Sequence, residues 1–133
     1  MMSAPAAQGR LRRLRAICLA FPEATERSEG TPVLDHHARL AAVFRIRQRS
    51  FAWFLDNHHG DGLVAVACKA VPGRATRLVE SNGERYYLPP YLRRSGWVGL
   101  RLDLGDVDWR EVAELAEDSY RLVAPRRLLP RLR

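Results

Sequence analysis

The chain has 133 residues, 47% of them apolar, and carries 22 Lys+Arg against 15 Asp+Glu. This length suits one domain with a buried core, and the apolar content excludes a disordered chain. The formal net charge of +7 comes almost wholly from arginine, since Lys69 is the one lysine, and it favours polyanionic partners.

Two cysteines, Cys18 and Cys68, lie far apart in apolar stretches, which indicates reduced, buried thiols rather than a disulfide framework. No apolar run is long enough to span a bilayer, and the first ten residues lack the apolar core of a secretory signal. We therefore expect a cytoplasmic protein.

The N-terminal part of the chain predicts one helix. Residues 1–8 are small and polar and are predicted to form a flexible leader. Apolar residues then recur at helical spacing from Leu11 to Phe21, and Pro22 ends the pattern. Residues 23–38 follow no period and are predicted to be irregular.

A hairpin is predicted next. Residues 43–47 alternate, a polar turn spans 48–50, and a second apolar run covers 51–55. Phe44 and Ile46 should face inward, so we expect Arg45 and Arg47 to point outward, with Arg49 at the tip.

The middle of the chain reads as short elements separated by turns. The predicted elements are a strand over 63–68, a helix over 74–80 and a strand over 85–88, and the loop that follows carries Tyr91, Arg93 and Arg94. Leu78 and Val79 should form the buried side of the helix.

The stretch from Gly96 to Pro125 predicts a strand followed by a capped helix. Val98, Leu100, Leu102 and Leu104 alternate with more polar positions, which is typical of a half-buried strand. The predicted inner face of the helix consists of Trp109, Val112, Ala113, Ala116, Tyr120 and Val123. Asp108 is a candidate N-cap, and Glu111 has the spacing of a capping box.

Together these elements predict a two-layer α+β sandwich. An antiparallel sheet of about five strands would be covered on one face by the N- and C-terminal helices. We expect a single domain over 9–128 and a basic tail over 129–133.

The residues offer little for catalysis. There is no Gly-x-Ser-x-Gly elbow and no phosphate loop, and the carboxylates of the last helix lie on its outer face. The pairs His36-His37 and His58-His59 lack metal-site spacing. We expect no enzymatic activity, no metal and no cofactor.

Several stretches resemble the MmcQ/YjbR family of small bacterial proteins. They are Val43-Phe44-Arg45-Ile46 with Phe51-Ala52, Gly96-Trp97-Val98, Leu102-Asp103, and Asp118-Ser119-Tyr120-Arg121-Leu122-Val123-Ala124. The resemblance covers residues 9–128 and implies a CyaY-like fold, DNA binding through two protruding wings, and no catalytic residue.

Arginine binds phosphate bidentately and tyrosine offers a stacking surface, so the basic residues favour a nucleic-acid partner. With the resemblance, the sequence predicts a monomer that binds double-stranded DNA. The predicted contacts are Arg45, Arg47, Arg49, Tyr91, Arg93 and Arg94. Two alternatives stay open. One is a small-molecule or metal-binding module that uses the His58-His59 loop and the sheet face, and the other is a protein-interaction adaptor whose basic surface is incidental.

Overall fold

The computed structural model describes residues 2–28, 40–57, 60–90 and 96–132. Within these ranges the chain forms six strands, three α-helices and a C-terminal 3-10 helix. The strands are β1 (Ala24–Ser28), β2 (Leu40–Ile46), β3 (Arg49–Asp56), β4 (Val64–Lys69), β5 (Tyr86–Tyr87) and β6 (Trp97–Arg101). The helices are α1 (Ala4–Cys18), α2 (Arg74–Ser81) and α3 (Trp109–Val123), and the 3-10 helix spans Arg126–Arg131.

The strands form one antiparallel sheet in the order β1-β2-β3-β4-β6-β5. Helices α1 and α3 contact each other and pack on one face of this sheet. The predicted α+β sandwich with terminal helices is therefore confirmed, with six strands in place of about five. The largest fully buried side chains include Phe44, Phe54 and Tyr120, which belong to the core between the two layers.

The additional strand, β1, falls in a region that we predicted to be irregular. Glu26 pairs with Phe44 in the register and therefore lies on the helix-covered face. Its carboxylate accepts two hydrogen bonds from Arg15 of α1, one of them 2.9 Å from Nη2 to Oε2. A paired carboxylate thus takes an inward position on this edge strand, and the apolar alternation that would reveal the strand is missing.

Helical structure extends into the predicted leader and into the predicted basic tail. Helix α1 begins at Ala4, inside the predicted flexible leader, because the Ser3 hydroxyl caps it by accepting from the Ala6 amide at 3.3 Å and because Ala7 is fully buried. At the other end, Leu128 is buried and anchors the 3-10 helix, which contains the first three residues of the predicted basic tail.

The buried face of α3 is rotated from the predicted one. Trp109 and Ala113 are only partly buried, whereas Leu115 and Ser119 are buried together with Val112, Ala116, Tyr120 and Val123. The Asp108 cap is confirmed, because its carboxylate accepts from the amides of Arg110 and Glu111. The Glu111 side chain pairs with Arg85 instead of closing a capping box.

The short helix α2 packs on the core through the two predicted residues and one more. Leu78 and Val79 are partly buried and pack against the core, and Ala75 is buried.

The face of the sheet opposite the helices carries its own small apolar cluster. Leu55, Ala67 and Trp97 are buried there, and Trp53 packs against them. Trp97 lies on this outer face as the alternation predicts, yet only 6% of it is exposed. The sheet is therefore apolar on both faces along its central strands.

Candidate functional site

The turn between β2 and β3 is tighter than predicted. Ile46 pairs with Arg49, which leaves a two-residue turn of Arg47 and Gln48, and Arg49 is the first residue of β3 instead of the tip. Arg47 has φ 61, a left-handed conformation that is unfavourable for most L-residues. Tight two-residue hairpin turns require positive φ, which explains this backbone.

The three hairpin arginines do not share one surface. Arg45 pairs with Ser50 in the register and lies, partly buried, on the outer face. Arg49 pairs with Ile46, so it lies on the helix-covered face, where its Nη1 atom donates to the Val123 carbonyl at 3.5 Å. A cation is favourable at this point because the last carbonyls of α3 carry partial negative charge. The period-two alternation of β2 does not predict the direction of the Arg49 side chain, because the chain reverses its direction between Ile46 and Arg49.

Glu23 connects the hairpin turn to the C-terminal end of the chain. Its Oε1 atom lies 3.1 Å from Arg47 Nη2, and its Oε2 atom lies 3.5 Å from Arg131 Nη1. Arg126 and Arg127 are exposed on the same 3-10 helix as Arg131. The hairpin turn and the 3-10 helix therefore form one basic surface.

We call this surface the arginine end. It consists of Arg47 and Arg131, which both contact Glu23, together with Arg49 at the end of α3 and the exposed Arg126 and Arg127 of the 3-10 helix. Five guanidinium groups against one carboxylate leave a strong local excess of positive charge. Such a surface attracts polyanions and offers several planar donors for phosphate oxygens.

Tyr120 of α3 holds the backbone next to Glu23. Its hydroxyl donates to the Pro22 carbonyl at 2.6 Å, and its ring packs against Phe21 and Phe51 with centroid separations of 5.1 and 5.4 Å. Burial, and next the charge of Glu23, raise the pKa of Tyr120, so the hydroxyl stays protonated as a donor. Glu23 itself has φ 60 and is fixed in place by this contact and by the turn from Phe21 to Ala24.

The sequence predicts only part of this site. The hairpin pattern predicts the arginines at 47 and 49, whereas no periodic signal links residues 126–131 to residue 47. The pattern around Glu23 gives no signal either, because the sequence indicates neither β1 nor the left-handed conformation of Glu23, the residue before it. Tyr91, Arg93 and Arg94 lie outside the described residues.

A groove and the distribution of possible metal ligands bear on the alternative of a small-molecule or metal-binding module. A groove of about 840 Å³ runs between the end of β4 and the start of α2, with Lys69 and Thr76 among its polar lining residues. The described residues contain no cluster of three or more possible metal ligands. His58 and His59 lie outside the described residues, so the proposed role of their loop stays a prediction.

The geometry defines a small α+β protein with a basic surface at one end of its sheet. The YjbR family model matches residues 19–122. Because this match covers most of the sequence, the chain belongs to the YjbR family.

A solved structure is similar to this fold. It is the crystal structure of Deinococcus radiodurans protein DR2400, described as a DUF419 domain, with 25% sequence identity and a TM-score of 0.64. The similarity covers 85% of this chain and 77% of that one. Among curated proteins no sequence matches. None of the described helices is long and apolar enough to cross a membrane.

Proposed function

We propose that this member of the YjbR family is a non-catalytic, cytoplasmic, monomeric protein that binds double-stranded DNA through its arginine end. The observation that carries the proposal is the bridging position of Glu23, which brings Arg47 of the hairpin and Arg131 of the C-terminal 3-10 helix to one surface. The buried, free thiols of Cys18 and Cys68 support a reducing compartment.

The arrangement favours contact with the phosphate backbone over reading of bases. Arg126 and Arg127 are exposed and can adjust to phosphates along a strand, whereas Arg49 is held by the Val123 carbonyl. Backbone contacts position a protein on the duplex without carrying sequence information. We therefore expect sequence-tolerant binding, with Tyr91, Arg93 and Arg94 as further candidate contacts and Arg45 as an outer-face residue outside the arginine end.

A salt-titrated anisotropy assay with a labelled duplex tests the proposal. Affinity should fall with salt at a log–log slope of about −0.9 per neutralised phosphate. The combined change Arg47→Ala, Arg127→Ala and Arg131→Ala should weaken binding to all duplexes alike and make the slope shallower by about one unit per lost contact. Arg49 is left intact because it caps α3.

A matched triple variant controls for total charge. Arg12, Arg77 and Arg110 are exposed on α1, α2 and α3, and their replacement by alanine removes the same three charges elsewhere. This control should bind duplex DNA nearly as well as the wild type. Equal loss in the two triple variants would show that net charge, and not the arginine end, determines binding. No binding by the wild type at low salt would refute the proposal.

A further inference from the structure

The Glu23 carboxylate lies between Arg47 and Arg131, where a phosphate that binds both arginines would have to lie. Its two carboxylate oxygens face guanidinium groups from two separate elements, Arg47 of the hairpin turn and Arg131 of the 3-10 helix. A carboxylate and a phosphate present similar pairs of acceptor oxygens to arginine. Glu23 is 41% exposed, and Arg47 and Arg131 are 47% and 60% exposed, so a ligand from solvent can reach all three side chains.

The fold maintains this carboxylate in an unfavourable backbone conformation. Glu23 has φ 60, which most L-residues avoid, and the Tyr120 hydroxyl bond to Pro22 holds the preceding residue. Non-glycine residues in the left-handed region persist only where their surroundings impose that conformation, and they concentrate at functional sites. The position of Glu23 is thus determined by the core and not by its own preference.

We infer that Glu23 determines which anions this surface accepts, by acting as an internal competitor for Arg47 and Arg131. The inference rests on the proposed function of the arginine end. An intramolecular carboxylate is present at high effective concentration, so an isolated small anion displaces it poorly. A duplex presents many adjacent phosphates and gains from counterion release, so it can displace Glu23 and engage both arginines.

The isosteric change Glu23→Gln tests this competition. It removes the negative charge that competes with the DNA, so duplex DNA should bind more tightly. The gain should be about three- to thirtyfold at about 0.1 M salt, because the two exposed ion pairs that are lost are individually weak. The slope of log affinity against log salt should stay close to that of the wild type, because the duplex engages the same two arginines in both proteins. Glu114→Gln is the matched control, because Glu114 is exposed on the outer face of α3 and the change in net charge is the same.

Selectivity has a separate readout that does not use DNA. Titration of inorganic phosphate, followed by the Arg Nε–Hε signals in NMR spectra, should give a lower dissociation constant for Glu23→Gln than for the wild type. Glu114→Gln should resemble the wild type. A second variant, Glu23→Asn, suits positive φ better and guards against a folding defect in the first. Thermal melts verify that all three variants fold.

The outcomes separate the two proposals. If the wild type binds duplex DNA through the arginine end and neither Glu23 variant binds more tightly than Glu114→Gln, the competitor role is wrong and the proposed function stands. Equal phosphate affinity in the wild type and both Glu23 variants also overturns the role in selectivity. If neither the wild type nor the Glu23 variants bind duplex DNA at low salt, the proposed function fails and this inference fails with it.

Discussion

The hydroxyl of Ser119 donates a 2.6 Å hydrogen bond to the carbonyl of Phe51. Phe51 is the additional residue of a bulge in β3, because the register passes from Arg45–Ser50 to Phe44–Ala52 without it. The same hydroxyl accepts from the Lys69 amide at the end of β4, at 2.9 Å. One fully buried side chain of α3 therefore binds two neighbouring strands.

We predict that Ser119→Ala lowers the free energy of unfolding by about 2–4 kcal/mol, because it leaves a buried carbonyl and a partly buried amide without their partner. Urea denaturation measures this loss. Ser81→Ala is the matched control, since Ser81 lies exposed at the end of α2 and donates only to the Leu78 carbonyl. Equal, small losses in the two variants would mean that water replaces the Ser119 hydroxyl.

Ser119 also illustrates how far the sequence predicts this structure. Alternation identified the inward residues of β2 and β6, and Phe44, Ile46, Val98 and Leu100 are indeed buried. The helical pattern of apolar residues in α3, however, does not predict that a serine lies on the buried face. Its burial follows from the bulge at Phe51, which is a property of strand pairing and not of local pattern.

The candidate site was predictable only in part, for a similar reason. Arg47 and Arg49 were recognised from the hairpin, but their directions depend on the length of the turn. Glu23 and Arg131 meet because Tyr120 fixes the backbone at Pro22 and because Leu128 anchors the 3-10 helix. Such long-range contacts are set by packing, and a single sequence gives no signal for them.

Gly99 of β6 is covered by the ring of Tyr87 on the neighbouring strand. The two residues pair in the register, and a Cβ atom at position 99 would lie 2.4 Å from Tyr87 Cε1. We predict that Gly99→Ala destabilises the protein by about 1–3 kcal/mol, the usual cost of overpacking, because the tyrosine ring has to move. Thermal and urea unfolding measure the loss.

The same substitution should be tolerated once the ring is removed. In a Tyr87→Ala background, Gly99→Ala should be neutral or stabilising, because glycine is a poor residue in the interior of a strand. A double-mutant cycle isolates the interaction between the two positions. If Gly99→Ala costs the same in both backgrounds, the ring is not what excludes a side chain at this position.

Alkaline pH should destabilise the protein through Tyr86. Burial, followed by the charge of Glu111 and a hydrogen bond with it, raises the pKa of Tyr86 from 10.0 to about 12. The unfolded chain releases this proton first, so the stabilising contribution is complete below pH 10 and is lost as the pH rises toward 12. Between pH 9 and pH 11 the urea midpoint of unfolding should therefore decrease more in the wild type than in Tyr86→Phe. Equal decreases would assign the effect to other groups.

Arg13 of α1 lies over the ring of Trp109, 5.0 Å from its centroid, at the start of α3. Since Trp109 is only partly buried, we predict that Trp109→Ala costs about 1–3 kcal/mol, less than the 3–5 kcal/mol typical of a fully buried tryptophan. Arg13→Ala should cost about 0.5–1 kcal/mol, as expected for an exposed cation–π contact.

A double variant tests the contact between Arg13 and Trp109. Its loss in free energy of unfolding should be smaller than the sum of the two single losses, because the contact can be removed only once. Strictly additive losses in urea denaturation would show that the guanidinium and the ring do not interact. Arg12→Ala is the control, because Arg12 is exposed on the same helix and should cost little.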